Sequence, residues 1–141
     1  MACDIWMDLY EKKGDKSYKK VENFKDFEGR SYLLFSILAG VRNNGEVDEP
    51  IQEQRGLPDG LSWDNGQKGI LNGVNLGDHS YGYVTIQEIL DYKYWDNITY
   101  YYGEEETFRS ACEFFWNFLN QVIEENKSIK PNDLYFVMGF D

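Results

Sequence analysis

The closing stretch LYFVMGF, residues 134–140, constrains the fold more than any other feature of this chain. Side chains alternate between the two faces of a strand, and in this stretch the side chains of both faces are apolar. A strand of that kind is typical of a position inside a sheet, where neighbouring elements cover it on both sides. The sequence therefore predicts an interior strand that closes the sheet.

The start of the chain predicts a β-hairpin. One strand face carries Cys3, Ile5, Met7 and Leu9, and the intervening residues form the other face, so the first strand has one clearly apolar side. Turn residues follow at 13–16, and residues 18–24 return as a second strand.

Two other segments have the spacing of buried helices. Apolar residues recur three and four positions apart over residues 31–42 and again over 106–126, and a shorter helix begins at residue 86 after a Thr85/Glu88 capping box. Glu104, Glu105 and Glu106 stand where the dipole of the long helix favours negative charge. We predict a single α+β domain over residues 1–141, in which a mainly antiparallel sheet is covered by two principal helices at about 31–42 and 106–126.

The region between these elements is rich in glycine. Residues 55–85 contain seven of the 13 glycines and the single histidine of the chain. A long segment with little periodicity is uncommon in a small domain unless it has a function or is disordered. We predict a glycine-rich loop at about 44–83 that folds over a ligand as a lid.

Composition limits the classes of partner. The net charge of −11 argues against binding to a nucleic acid polymer, because such binding depends on neutralising phosphates. No apolar run approaches the roughly 20 residues of a membrane helix, and the start does not resemble a secretion signal. Cys3 and Cys112 are too far apart in sequence to indicate a disulfide framework. The expected location is the cytoplasm, without a membrane partner.

The sequence offers little for metal, cofactor or covalent chemistry. One histidine and two distant cysteines cannot form a standard zinc site, and no phosphate-binding glycine motif is convincing. Asp78, His79 and Ser80 have the residue types of a catalytic triad, but consecutive residues cannot adopt its geometry. We therefore predict no metal, no cofactor and no catalytic residue, and keep one alternative: a hydrolase or phosphodiesterase in which His79 acts with Asp4 or Asp78.

Positive and aromatic side chains instead suggest a binding site for a small anion. Three of the four arginines lie close together in sequence, and flat aromatic side chains follow at 92–102. Guanidinium groups hold phosphates, and aromatic faces stack bases. The candidate ligand-binding residues are Arg30, Arg42 and Arg55 for phosphate or ribose, Tyr81, Trp95 and Tyr101 for stacking, and Asn43, His79 and Ser80 for polar edges of the ligand.

Several blocks of sequence resemble a family of small, largely uncharacterised proteins of bacteriophages and bacteria. The blocks are MACDI at the start, RSYLLFSILAGVRN at 30–43, RGLPDGLS at 55–62, HSY at 79–81, TIQEIL at 85–90 and the closing FVMGFD. Where the family usually has histidine after MACDI, this chain has Trp6, which removes one potential ligand or base. The resemblance implies a phage-associated protein that acts in a bacterial cytoplasm.

Three functions are compatible with these observations. By analogy with other small phage proteins, the first is a sponge that sequesters a nucleotide-derived immune signal, as in inhibition of Thoeris or CBASS defence, without catalysis. The second is the hydrolase that uses His79. The third is an acidic inhibitor that binds a host protein. Phe114 and Phe118 lie off the main apolar stripe of the long helix, which predicts exposed apolar surface and a homo-oligomer.

Overall fold

The structure, a computed structural model, describes residues 2–141 and has an α+β fold. Four strands form the main sheet, and two short hairpins and four helices surround it. The strands are β1 (Ile5–Gly14), β2 (Ser17–Lys20), β3 (Ile70–Leu71), β4 (Val74–Asn75), β5 (His79–Thr85), β6 (Ile98–Tyr101), β7 (Glu104–Thr107) and β8 (Leu134–Phe140). The helices are α1 (Tyr32–Ala39), α2 (Ile86–Asp91), α3 (Phe108–Ala111) and α4 (Glu113–Glu125).

The main sheet confirms the interior position of the closing strand. Its order is β2–β1–β8–β5, and all neighbouring strands are antiparallel. Leu9 of β1 lies opposite Phe136 of β8, and Val84 of β5 lies opposite the same residue on the other side. Strand β8 is thus flanked on both edges, as its apolar character predicts.

The two faces of β8 contribute to two separate clusters of apolar side chains. Leu134, Phe136, Met138 and Phe140 pack with the helices in the larger cluster. Val137 faces the opposite side, where it packs with Tyr10, Leu71, Leu76 and Tyr81. The sheet therefore has a helical layer on one face and a layer formed largely by residues 57–76 on the other.

The first principal helix is confirmed, and its ends follow from local chemistry. Ser31 is the N-cap and accepts a hydrogen bond from the Leu34 amide at 3.2 Å. Gly40 ends the helix in a left-handed conformation, with a φ of 69°. The helix therefore occupies 32–39 within the predicted range 31–42.

The second principal helix begins later than predicted and is interrupted. Residues 104–107 form β7 instead of a first helical turn, so the three glutamates lie on a strand and not at a helix N-terminus. Thr107 caps α3 by accepting a hydrogen bond from the Ser110 amide at 3.0 Å, and the helical geometry breaks at Cys112 before α4 begins. The apolar stripe predicted the buried face of the helix correctly. Residues 104–107, directly before the helix, instead pair with β6.

The predicted glycine-rich loop at 44–83 is wrong in its second half. Strands β3 and β4 form a hairpin within it, and His79 to Tyr83 belong to β5 at the edge of the main sheet. Several glycines lie where the backbone meets another backbone: a Cβ added to Gly77 would lie 2.5 Å from the Phe140 carbonyl oxygen. The segment is therefore a packed layer on the sheet, and close backbone approach accounts for these glycines.

Phe114 and Phe118 were both predicted to be exposed on the long helix, and the structure confirms this only for Phe114. Phe118 packs among the rings of Phe24, Phe27 and Phe136, with centroid distances of 5.1 to 6.1 Å. Phe114 is 37% exposed and stacks on Phe27. The homo-oligomer stays a prediction. Among residues 2–141, no helix has the length and apolar character to cross a bilayer.

Candidate functional site

The three arginines of the predicted anion site are held by different partners. Arg30 donates to Asp4 at 2.7 and 2.9 Å. Arg55 donates to both carboxylate oxygens of Glu88, at 2.9 and 2.6 Å, and lies over the ring of Tyr83. These contacts raise the pKa of Arg55, with the Glu88 hydrogen bond as the main cause.

The arginines do not form one cluster. Arg42 lies over the ring of Tyr32, at 5.4 Å from its centroid, and the Tyr32 hydroxyl accepts a hydrogen bond from the Cys3 amide, beside Asp4. Arg30 and Arg42 thus lie near the start of β1. Asp4, the partner of Arg30, pairs with Asp141, whereas Tyr83, which lies under Arg55, is opposite Val137. Val137 precedes Asp141 by four residues, so Arg55 lies roughly 13 Å further along the strands.

The predicted stacking residues are mostly unavailable to a ligand. Trp95 is 1% exposed, and its Nε1–H donates to the Ile89 carbonyl at 2.8 Å, so it is part of the core, contrary to the prediction. Tyr81 is 7% exposed, and its hydroxyl donates to the Gly77 carbonyl. Tyr101 is half-buried, with its ring against Tyr102 at 4.7 Å.

The three polar candidates are engaged locally. The side chain of Asn43 closes its own turn by donating to the Val47 carbonyl and accepting from the Gly45 amide. His79 is exposed on β5, with Nδ1 2.9 Å from Ser80 Oγ and its ring stacked on Phe140. Within residues 2–141, no group of three or more His, Cys, Asp or Glu side chains could hold a metal ion. Nucleotide binding and hydrolysis at His79 both stay predictions.

Two carboxylates, buried Asp8 and half-buried Asp26, have a structural role beside β1. Beyond the end of β2, Asp26 accepts hydrogen bonds from the Met7 and Phe27 amides at 3.3 and 2.8 Å. Asp8 accepts from the Leu9 amide, and its Oδ2 lies 3.4 Å from Lys20 Nζ without a well-aligned hydrogen bond. The predicted second strand at 18–24 therefore stops at residue 20, because side-chain carboxylates replace the strand as hydrogen-bond partners.

Asp26 should make folding stability depend on pH. Burial raises its pKa from 3.8 to about 6, so between these values the folded protein holds a proton that the unfolded chain has lost. This group's contribution to stability therefore falls as pH rises from about 4 to 6. In the Asp26→Asn variant this loss is absent. After an allowance for the partial exposure of Asp26, the loss of unfolding free energy between pH 4.5 and pH 7 should therefore be smaller by about 1 kcal/mol.

Urea unfolding at the two pH values measures this effect. Asp91→Asn, a substitution of an exposed aspartate on α2, is the matched control. If both variants keep the pH profile of the original protein, Asp26 does not have the raised pKa described above.

The most exposed apolar side chains of the described residues lie on the hairpin β6–β7. From the sequence, this aromatic segment is expected to form one strand or an irregular stretch, and not a hairpin. Ile98 is 57%, Tyr100 73% and Tyr102 91% exposed. The signal available in the sequence was Gly103 between two runs of four residues, because glycine is favoured in a two-residue hairpin turn.

The hairpin has an inner and an outer face. Thr99 and Tyr101 alternate with Ile98 and Tyr100, and Thr99 is 8% exposed, so the face of Thr99 lies against the protein. On the outer face Tyr100 lies opposite Glu105. An isolated two-stranded hairpin is marginally stable in water, so packing of its inner face must hold it in place.

The turn of the hairpin has an unfavourable residue at its most exposed position. Tyr102 has a φ of 52° and Gly103 a φ of 81°, as a type I′ turn requires. Asparagine or glycine fits the first position well, whereas a bulky residue in this conformation costs about 1–2 kcal/mol. The ring contact with Tyr101 offsets part of that cost. Strained backbone positions cluster at functional sites, which together with its exposure makes Tyr102 a candidate contact residue.

The hairpin is also strongly acidic. Residues 98–107 contain Glu104, Glu105 and Glu106 and no lysine or arginine. Arg109, just beyond the hairpin, lies over the ring of Trp116 and 3.9 Å from an Asp96 carboxylate oxygen. The hairpin therefore presents tyrosine rings and carboxylates together, a combination suited to a partner with an apolar depression and a basic border.

Comparison with protein-family models, with curated proteins and with solved structures found no match. The resemblance to phage and bacterial proteins therefore stays a prediction.

Proposed function

We propose that this chain is a non-catalytic binding protein that contacts a protein partner through the β6–β7 hairpin, the third of the functions that the sequence allows. The observation that carries the proposal is Tyr102, which is 91% exposed in a left-handed turn conformation that disfavours it. Folding gains little from this residue, so selection for an intermolecular contact accounts for it better than selection for stability.

The hairpin would act through two kinds of contact. Tyr100 and Tyr102 would insert their rings into an apolar depression, and tyrosines at interface centres often contribute about 2 kcal/mol or more. Glu105, opposite Tyr100 on the outer face, would face lysine or arginine side chains at the border of this depression, and exposed Glu104 beside the turn would add to the negative charge there. With a net charge of −11, the whole protein attracts a basic partner over a distance, so association should weaken with added salt.

The arginine pairing gives less support to sequestration of a nucleotide-derived signal. In that hypothesis Arg30, Arg42 and Arg55 hold one anion, whereas Arg55 is engaged with Glu88, away from the other two. Titration calorimetry with cyclic ADP-ribose isomers and cyclic oligonucleotides tests that hypothesis separately. Heat that disappears with Arg55→Gln would support it over the present proposal.

Site-specific photo-crosslinking tests the hairpin directly. Benzoylphenylalanine placed at residue 102 and irradiated in a bacterial lysate should form a covalent adduct with one protein, because the side chain would lie in the interface. The control places the same group at Tyr32, which is 36% exposed on α1, away from the hairpin. The adduct should form from position 102 and not from position 32.

The crosslinked protein must then bind in purified form. Titration calorimetry should give a dissociation constant that rises at least tenfold in a Glu104→Gln/Glu105→Gln variant or between 0.05 and 0.3 M salt. Equal crosslinking from both positions, or a purified partner that binds the double variant unchanged, would contradict the proposal.

A further inference from the structure

A second surface, separate from the hairpin, has the shape of a binding cleft. A cleft of about 630 Å³ lies between residues 21–28 and the second half of α4. Its apolar lining includes Phe24 and Phe118, whose rings lie 6.1 Å apart and both contact Phe136 of the sheet. Because these rings are anchored in the core, the apolar part of the cleft is preformed.

The charged lining of the cleft is mainly acidic. Glu22, Asp26 and Glu28 come from one wall and Glu125 from α4, and Lys25 is the single cation in the lining, so the formal charge of the lining is −3. These carboxylates do not converge on one point, since no cluster within residues 2–141 could hold a metal ion. They instead border the apolar lining, which favours an extended cationic ligand over a single ion.

We propose that this cleft binds a basic peptide segment that alternates cationic and apolar side chains. An apolar side chain would be buried against the rings of Phe24 and Phe118, while neighbouring lysine or arginine side chains would pair with Glu22 and Glu125 on opposite walls. A volume near 600 Å³ falls within the range of sites that enclose a few side chains. Charge complementarity selects the basic segment, because an acidic segment would face like charges.

The proposal goes beyond the function assigned to the hairpin. The hairpin precedes α3 and α4, whereas the cleft is lined by residues 118–126 at the other end of α4. Val122 lies about 14 Å along the helix axis from Glu113, at 1.5 Å per residue. The two surfaces can therefore be altered independently.

Fluorescence polarisation with a defined probe tests the cleft. The probe is a fluorescein-labelled peptide KLKFKLK, and the control peptides are ELEFELE and KSKSKSK. The cleft variant is Glu22→Gln/Glu125→Gln, which removes two exposed carboxylates from opposite walls. Its matched control is Glu104→Gln/Glu105→Gln, which removes the same charge from two exposed positions of the hairpin.

At 0.15 M salt the probe should bind the unaltered protein, and both control peptides should bind at least tenfold more weakly. The cleft variant should weaken probe binding about tenfold, while the hairpin variant and Tyr102→Asn should change it less than twofold. Absence of probe binding, or equal weakening by the two double variants, would overturn the cleft proposal and leave the hairpin proposal standing. Absence of crosslinking from residue 102 together with retained probe binding would overturn the hairpin proposal and leave the cleft proposal standing.

Discussion

Replacing Gly139 with alanine is expected to lower the free energy of unfolding by about 3 kcal/mol, or roughly 10 °C in Tm. Gly139 lies on β8, on the face that packs against residues 57–76. A Cβ at this position would lie 1.9 Å from the Leu76 carbonyl oxygen and 2.8 Å from the Tyr81 ring. Because the nearest atom belongs to the backbone, a side-chain rotation cannot relieve the overlap.

The control for this variant is Gly14→Ala. Gly14 also belongs to the main sheet, has no left-handed φ, and its added Cβ would meet Ser17 Cβ at an ordinary 3.7 Å. Thermal and urea unfolding should place Gly14→Ala within about 1 kcal/mol of the original protein. If Gly139→Ala is equally mild, the glycine-rich segment does not pack on β8 as described.

Replacing Tyr102 with asparagine should move stability and binding in opposite directions. Asparagine adopts the left-handed turn conformation more readily than tyrosine, so unfolding free energy should stay equal or rise by up to about 1 kcal/mol. The same change removes the most exposed ring of the hairpin, so the dissociation constant for the crosslinked partner should rise by about 30-fold, equivalent to 2 kcal/mol. Urea unfolding and titration calorimetry measure the two effects.

Two controls separate the contact from the backbone effect. Tyr102→Phe keeps the ring and should retain most of the affinity. Gln54→Asn makes a comparable backbone change at another left-handed position, with a φ of 47°, and should leave binding unchanged. Should Tyr102→Asn bind like the original protein, or lose affinity only because it unfolds, the hairpin is not the contact surface.

The fold was more predictable than the site because strands and helices are encoded by local patterns. The alternation from Cys3 to Leu9 and the spacing of Leu34 and Leu38 each specify a buried face without reference to the rest of the chain. The partner of a charged side chain has no such local code. Arg55 pairs with Glu88, 33 residues away, and only the folded sheet brings α2 beside it.

The exposure of a side chain is even harder to predict from the sequence, because it depends on whether a distant segment packs over that residue. Trp95 and Tyr100 belong to the same aromatic segment, yet one is 1% and the other 73% exposed. Both residue types are equally suited to a core or to an interface. Gly103 could have located the hairpin turn, but not the face of the hairpin that reaches solvent.

By itself the sequence determined the α+β class, the interior position of β8, the first helix and the capping box at Thr85. Each of these features depends on residues that lie close together in the sequence, within a few helical turns or within one strand. Only the tertiary structure decided that the glycine-rich segment packs as a second layer, that the arginines have separate partners, and that the β6–β7 hairpin projects its tyrosines. These features depend on contacts between distant segments, which the packing of the whole chain selects.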